Sequence, residues 1–353
     1  MLPVFILDDA HTPGRFGLLA SLWANQLALP LWSLRPRFAG DYPDSHQHVI
    51  SAGYCVTSGL WRSDTLQQEV SDIDLVPARD AIVVLSLADA PLIAHLPGQR
   101  LFSFSNGHSL RLQDGDVTLL EHTLSFPLPD NDALRIGLIA REHDQREAYP
   151  ATLDALYAAA AHLAVSLKIH FLPPSTLSAE LHELDDLHGV VLPGGASVSS
   201  VYGQIAIAHA SWKRNIPTLG LCLGMQSMCT AALQRHKGYE QAMMAEVAPQ
   251  AALHSFIRFT DLRHRCGLMP FPAAAPFNRM HYNHRYLFNP RLLPQLLATG
   301  VRVNAQTDDI IEGICLPGHR FWLGVQGHPE LLSRPDAPHP LFTAFLQSVM
   351  TPA

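Results

Sequence analysis

The chain has 353 residues, of which 48% are hydrophobic and 16% are charged, and its formal net charge is -7. This composition supplies enough apolar side chains for one large or two ordinary domains and argues against a disordered chain. No block of like charge stands out, so neither nucleic acid nor an anionic membrane is an expected partner. We expect the partner to be a small molecule or another protein.

The N-terminal residues and the cysteines bear on the cellular compartment. The first apolar run is broken by Asp8 and Asp9, which fits neither a secretory signal nor a transit peptide. No uncharged apolar stretch approaches the roughly 18 residues that span a bilayer. The five cysteines are scattered without a CxxC pair, so we predict neither a disulfide framework nor a zinc site. A cytoplasmic protein with reduced thiols, without a metal or another cofactor, is the simplest interpretation.

A domain boundary is predicted near residues 126–134, where two prolines and a cluster of Asp and Asn interrupt the apolar pattern. We therefore predict an N-terminal domain over residues 1–133 and a larger domain over residues 134–353. The pattern of the first domain favours a small α/β or α+β fold, and its role is not indicated. Its predicted elements are strands at 4–7 and 81–88, a helix over 15–28, and two hairpins that turn at Asn106-Gly107 and Asp114-Gly115.

The second domain alternates short apolar runs with helical patterns. The predicted elements are strands at 135–140, 168–173, 188–195 and 216–221 and helices over 150–166, 203–213 and 223–236. Because strand and helix alternate, we expect a largely parallel sheet flanked by helices. Paired strands at 313–318 and 320–327 and a helix over 339–350 are predicted to follow.

The sharpest local motif is GLCLGMQ, residues 220–226. Cys222 stands where a buried strand must turn abruptly into a helix, the arrangement called a nucleophile elbow. The flanking glycines permit a tight turn, and the positive end of the helix favours the thiolate. The N–H group of Leu223 would then be available to an oxyanion. Taken alone, the motif also fits a buried structural cysteine that precedes a helix.

Two further segments provide the groups that a cysteine nucleophile needs. His328 and Glu330, in the sequence GHPE after a predicted strand, fit a base and the group that orients it. The pair Gly194-Gly195 follows another strand, and the N–H group of Gly195 would be a second donor to an oxyanion. Each segment is weak evidence by itself, since ordinary loops contain such residues. The two segments are strong evidence only in combination with Cys222.

These three segments, in this order, resemble the class I glutamine amidotransferases, and most of all the glutaminase domain of CTP synthase. The resemblance covers about residues 134–353. It implies a flavodoxin-like, mostly parallel sheet flanked by helices, with the smaller N-terminal domain before it. It also implies an enzyme that hydrolyses the side-chain amide of glutamine through a cysteine thioester and supplies ammonia to a separate synthase.

The resemblance also implies a catalytic role for each matching residue. Cys222 would attack the amide carbon, His328 would protonate the leaving ammonia and then activate water, and Glu330 would orient His328. The N–H groups of Gly195 and Leu223 would stabilise the tetrahedral oxyanion. Cys222, His328 and Glu330 would thus form a catalytic triad.

The residues expected to bind the substrate match the family less completely. Gln226, Glu246 and Arg285 are expected to hold the amino-acid end of the substrate, although each also fits an ordinary surface position. The arginine with which the family grips the substrate carboxylate falls at Asn283, and Arg279 and Arg285 are the two alternatives for its role. The loop after the oxyanion glycine reads ASVSS at 196–200. Free glutamine is therefore one candidate substrate, and a related γ-glutamyl amide is another.

Residues 1–133 contain no GxxxxGK[ST] phosphate loop, so we do not expect the synthetase domain of CTP synthase in them. Three hypotheses follow: an amidotransferase that serves a separate synthase, an enzyme for another γ-glutamyl amide, and a regulatory protein without catalytic activity. The sequence identifies neither the ammonia acceptor nor the oligomeric state, and it leaves a homodimer open.

Overall fold

A computed structural model describes residues 1–38, 66–106, 109–123, 127–194, 200–274 and 277–351. The chain forms two compact units, and each is assembled from separate segments. The first unit contains Met1–Pro127, His143–Ala158 and Glu330–Ala337, and the second unit contains Leu128–Glu142, Ala159–Pro329 and Pro338–Ala353. The predicted division into domains at residue 133 stays a prediction, since these units are defined by compactness and not by independent folding.

The first unit is built on a sheet of seven described strands. They are β1 (Val4–Asp8), β2 (Leu31–Leu34), β3 (Leu66–Val70), β4 (Ile82–Ser86), β5 (Gln99–Ser105), β6 (Ser109–Asp114) and β7 (Val117–Thr123). Their spatial order is β3-β2-β4-β1-β5-β6-β7, parallel from β3 to β5 and antiparallel from β5 to β7. The antiparallel pairs confirm both predicted hairpins, although Gly107 lies outside the described residues.

Strand β1 is covered on both faces, which explains its unbroken apolar sequence. Val4 and Ile6 belong to a core that includes the helix α1 (Leu18–Leu27). Phe5 and Leu7 belong to a second core. Because successive side chains of a strand point to opposite faces, a central parallel strand needs apolar residues at every position.

Asp8 ends β1 as a buried carboxylate. Its two oxygens accept hydrogen bonds from the N–H groups of Ala10 and Gly17, each at 2.9 Å. Burial raises the pKa of Asp8 to about 6, and these hydrogen bonds oppose that shift. Gly17 donates from a left-handed backbone conformation, with φ of 75°, which glycine adopts without a steric penalty. The carboxylate therefore fixes the loop that connects β1 to α1.

The second unit contains a second sheet of seven described strands. They are β8 (Leu134–Leu138), β9 (Leu167–Phe171), β10 (Gly189–Leu192), β11 (Thr218–Leu221), β16 (Arg302–Thr307), β17 (Ile310–Cys315) and β18 (Trp322–Val325). The order is β16-β17-β18-β11-β10-β8-β9, parallel from β18 to β9 and antiparallel from β16 to β18. Two short antiparallel pairs lie outside this sheet. They are β12 (Phe256–Arg258) with β15 (Tyr286–Phe288) and β13 (Arg265–Pro270) with β14 (Arg279–His284).

Helices separate most of the parallel strands, as the sequence predicts. After α1 they are α2 (Ala151–His162), α3 (Val201–Arg214), α4 (Leu223–Gln234), α5 (Leu293–Ala298) and α6 (Pro340–Met350). Helices α3 and α4 share a core with Leu192 and Trp322 of the second sheet. On the other face, a Cβ atom on Gly189 would lie 2.7 Å from Val349 of α6. Among the described residues, no helix is both long and apolar enough to cross a membrane.

We predict that the contribution of Asp8 to stability depends on pH. Its pKa of about 6 in the folded chain exceeds the ordinary value of 3.8, so the folded state binds this proton more tightly than the unfolded chain. The associated stabilisation is full below the ordinary value and is lost as the pH rises through the folded-state pKa. Between pH 5 and pH 7.5, the free energy of unfolding should fall by about 1.4 kcal/mol more in the wild type than in Asp8→Asn.

Denaturant titrations at the two pH values measure this difference. The matched control is Asp116→Asn, since Asp116 is an exposed residue in the turn between β6 and β7. Its effect should be nearly the same at both pH values. If Asp8→Asn changed the free energy of unfolding by the same amount at both pH values, the raised pKa of Asp8 would not contribute to the pH dependence of stability.

Candidate active site

Cys222 lies at the sharp bend between β11 and α4. Its φ of 47° and ψ of -106° are outside the regions that non-glycine residues favour, so the backbone is strained here. The N–H group of Cys222 donates to the carbonyl of Val325 at 2.8 Å, which anchors the bend to the neighbouring strand β18. The residue is only 7% exposed. The fold therefore presents this thiol at the carboxyl end of a central strand.

Two glycines allow this bend to form. A Cβ atom on Gly224 would overlap the carbonyl oxygen of Leu192, and a Cβ atom on Gly220 would collide with the sulfur of Met228. The start of α4 therefore lies closer to β10 and β11 than a larger residue would permit. The sequence GLCLG meets a steric requirement of the bend, which is the physical basis of the elbow motif.

His328 and Cys222 lie beside the same glycine. A Cβ atom on Gly194 would be 2.9 Å from Cε1 of His328 and 3.5 Å from Cβ of Cys222. His328 is 1% exposed, and its backbone N–H group donates to the carbonyl of His281 at 2.8 Å. The second unit thus brings the predicted nucleophile and the predicted base together around Gly194.

Two more buried histidines, His281 and His284, lie near His328. The pKa of His281 and that of His284 are each lowered to about 3, chiefly by burial, and the charge of His328 contributes to both shifts. Both rings are therefore neutral near pH 7. Nδ1 of His284 is 2.8 Å from the carbonyl oxygen of Tyr286, and its Nε2 is 3.1 Å from Nη1 of Arg265. These contacts assign the ring proton to Nδ1, because a carbonyl only accepts and a guanidinium only donates.

Glu330 follows His328 by two positions and is fully buried. Within the first unit, its Oε1 accepts a hydrogen bond from the hydroxyl of Tyr149 at 3.0 Å. Tyr149 also packs in the apolar core around α1. Sequence analysis missed Tyr149, because it stands 181 residues before its partner and belongs to no local motif.

Gln226 reaches Cys222 through a second glutamine. Nε2 of Gln226 donates to Oε1 of Gln326 at 3.2 Å, and Nε2 of Gln326 lies 3.6 Å from the sulfur of Cys222. Sequence analysis did not single out Gln326. Leu223, the expected oxyanion donor, is the first residue of α4, so its N–H group has no acceptor within the helix. Gly195, the other expected donor, lies outside the described residues.

The two charged residues expected to bind substrate, Glu246 and Arg285, lie near Tyr286. Burial raises the pKa of the Tyr286 hydroxyl, and the charge of Glu246 raises it further, whereas the charges of Arg258 and Arg285 lower it. Glu246 is exposed in a turn, and Arg285 is half-buried between β14 and β15. Glu246 and Arg285 thus carry opposite charges and both lie near Tyr286.

An ion pair is buried in the same unit. Nη2 of Arg265 is 2.8 Å from Oε1 of Glu312, and their side chains are 10% and 0% exposed. The guanidinium lies over the ring of Tyr282, 4.2 Å from its centre. The carbonyl of Glu312 accepts a hydrogen bond from the N–H group of Gln326 at 2.8 Å. No group of three or more His, Cys, Asp or Glu residues in the described part of the chain could hold a metal ion.

The model of the family described as glutamine amidotransferase class-I matches residues 148–348. The chain belongs to this family. Membership in this class indicates an enzyme, and it agrees with a cysteine placed at a strand-to-helix elbow.

Curated relatives of this amidotransferase chain include two CTP synthases. That of Acaryochloris marina is 28% identical over 80% of this chain and 56% of its own length. That of Nostoc punctiforme is 33% identical over 62% of this chain and 44% of its own length. The chain thus spans about half the length of these relatives.

A solved structure shows the same fold. The glutaminase domain of CTPS from Trypanosoma brucei, with bound acivicin, has a TM-score of 0.57 and 23% identity, and it covers 62% of this chain and 94% of that one. The second unit therefore has the class I glutamine amidotransferase fold. The expected fold class, with an additional N-terminal sheet, is confirmed.

We predict that either partner of the buried ion pair is costly to remove alone. Glu312→Leu would leave the Arg265 guanidinium buried without a counter-charge and should lower the free energy of unfolding by about 3–5 kcal/mol. The double variant Arg265→Met/Glu312→Leu should recover most of that loss, because apolar residues of similar size can replace such a pair. Denaturant unfolding of the two single variants and the double variant measures the coupling. Simple addition of the two single losses would contradict this interpretation.

Proposed function

We propose that this protein is a glutamine amidotransferase that hydrolyses the side-chain amide of glutamine through Cys222. The observation that carries the proposal is the strained elbow at Cys222 with His328 beside it at Gly194. A backbone strain of this kind persists at functional sites because it positions a reacting group. A structural cysteine would not need it.

The first half of the reaction releases ammonia. The thiol of Cys222 gives its proton to His328, and the sulfur attacks the amide carbon. The oxyanion of the tetrahedral intermediate is held by the N–H group of Leu223 and, as a second donor, that of Gly195. His328 donates a proton to the leaving nitrogen, and the carbon–nitrogen bond breaks. Ammonia departs, and a γ-glutamyl thioester remains on Cys222.

The second half regenerates the enzyme. A water molecule gives a proton to His328 and attacks the thioester carbon, the carbon–sulfur bond breaks, and glutamate is released. Glu330 is the proposed carboxylate that orients the imidazole and stabilises its charged form. The substrate is held at its amino-acid end by Gln226, Glu246 and Arg285 in this proposal. The opposite charges of Glu246 and Arg285 suit an α-amino group and an α-carboxylate.

The ammonia is passed to a separate synthase in this proposal. The relatives' name, CTP synthase, supports an acceptor of that kind. The role of the first unit in such a transfer is not assigned. A synthase that consumes ammonia should therefore gain glutamine-dependent activity when it is mixed with this protein.

A second candidate substrate is a γ-glutamyl amide other than free glutamine. Asn283 occupies the position expected to hold a carboxylate-binding arginine, and its Oδ1 lies 2.6 Å from Nε2 of His264. An uncharged asparagine, whose carbonyl oxygen already contacts His264, therefore stands where an arginine would bind the substrate carboxylate. A panel of γ-glutamyl amides, compared with glutamine by kcat/KM, distinguishes the two candidates.

We predict that Cys222→Ala lowers glutamate release from glutamine by at least about 1000-fold, because the nucleophile is lost. Cys229→Ala is the matched control. Cys229 is buried on the same helix, and burial in apolar surroundings raises the pKa of its thiol. This control should retain activity. Equal activity of Cys222→Ala and the wild type would exclude the mechanism.

The wild type also needs its own test, because a regulatory protein could keep the fold without turnover. Ammonia release from glutamine and from the γ-glutamyl panel should be measurable, and an electrophilic glutamine analogue should alkylate Cys222 at neutral pH. Absence of both turnover and alkylation would favour the regulatory hypothesis.

A second prediction concerns the hydrogen bond between Tyr149 and Glu330. Tyr149→Phe removes the donor to Oε1 of Glu330 and should lower kcat by about tenfold, the value of one hydrogen bond to a charged group. Tyr157→Phe, a tyrosine of α2 whose ring is half-buried, is the control. Steady-state kinetics and thermal melting separate an effect on kcat from unfolding. An unchanged kcat in Tyr149→Phe would argue against a catalytic role for Glu330.

A further inference from the structure

A row of three residues, Cys222, Gln326 and Glu312, lies near the carboxyl ends of β11 and β18. Leu221 and Val325 are the last paired residues of β11 and β18, so Cys222 and Gln326 are the residues that immediately follow these two strands. The N–H group of Gln326 bonds the carbonyl of Glu312 on the strand beyond. The fold therefore places Gln326 beside the nucleophile, at the end of the neighbouring strand.

Gln326 contacts the sulfur directly. Its Nε2 lies 3.6 Å from Sγ of Cys222, and the residue is 1% exposed. A primary amide has two N–H donors and, unlike a histidine or a lysine, it cannot exchange its proton with a thiolate at neutral pH. A negatively charged sulfur attracts the N–H groups of the amide and repels its carbonyl oxygen.

The orientation of that amide is set by a second residue. Oε1 of Gln326 accepts a hydrogen bond from Nε2 of Gln226 at 3.2 Å. Gln226 is itself 3% exposed and lies on the first turn of α4, the same helix that begins after Cys222. The two glutamines therefore form a chain of donors that ends at the sulfur.

We propose that Gln326 stabilises the thiolate of Cys222 by donating a hydrogen bond to it, and that Gln226 holds Gln326 in the donating orientation. A hydrogen bond to the charged form of a group favours that form, and it is stronger in a buried site than in water. This inference rests on the proposed function, in which Cys222 is the nucleophile. It adds to the groups around the sulfur a neutral donor that neither supplies nor removes a proton.

The reactivity of Cys222 toward a neutral electrophile tests this proposal without any turnover of substrate. The full chain is alkylated with iodoacetamide between pH 5 and pH 10, and the modified Cys222 peptide is quantified by mass spectrometry. Because only the thiolate reacts, the midpoint of the pH–rate profile measures how well the charged sulfur is stabilised. A failure of glutamine hydrolysis would leave this measurement intact, so the two proposals fail separately.

Two near-isosteric variants remove the donor in different ways. Gln326→Met offers no donor, and the midpoint should rise by about one pH unit, equivalent to a tenfold slower alkylation below the midpoint. Gln326→Glu replaces the donor by a carboxylate and should raise the midpoint further. Gln226→Leu frees the orientation of Gln326 and should give a smaller rise.

The matched control is Gln234→Leu at the other end of α4. The amide of Gln234 bonds the carbonyl of Ala242 and the ring of His209, and its loss should leave the midpoint unchanged. Thermal melting shows which variants are folded, and either substitution of Gln326 is sufficient for the test. If Cys222 in a folded Gln326 variant were alkylated with the same midpoint pH as in the wild type, the proposal would be overturned.

Discussion

The close approach of helix α4 to the second sheet is the constraint on which the site depends. Gly224 lies against the carbonyl of Leu192 with no space for a Cβ atom, and this contact fixes where the helix begins. The chain must then leave β11 and enter α4 within one residue, which forces Cys222 into its strained conformation. The strain, of the order of 1–3 kcal/mol, is sustained by a core packed on both sides of the sheet. A thiol held in this way is positioned before any substrate arrives.

Burial also sets the environment of His328. Its neighbours His281 and His284 are buried so completely that they stay neutral near pH 7. Neutral rings beside the proposed base impose little electrostatic cost when it takes up a proton, whereas a charged histidine or lysine there would oppose it. Two histidines can therefore lie near a proton-transfer group without disabling it, provided that burial keeps them uncharged.

The second sheet and the elbow could be predicted because their signals are local. Short apolar strands alternate with helical patterns, and GLCLG encodes its own bend within five residues. Strands β13 and β14 lack such a signal, since they are short and carry Arg265, His281 and His284 among their residues. Tyr149 and Gln326 were missed for a different reason. Each contacts a site residue that is distant in sequence, and such a contact produces no local sequence pattern.

The polar row beside Cys222 is hard to explain by stability alone. Apolar side chains of similar volume in place of a buried ion pair such as Arg265–Glu312 commonly preserve or increase stability. A buried amide such as that of Gln326 is tolerated only because its donors and acceptors are engaged. What such groups provide is a fixed direction for each hydrogen bond, because an amide buried at 1% exposure cannot turn toward solvent. At the carboxyl end of β18 that fixed direction points at the sulfur, and a charge that develops there meets a donor already in place.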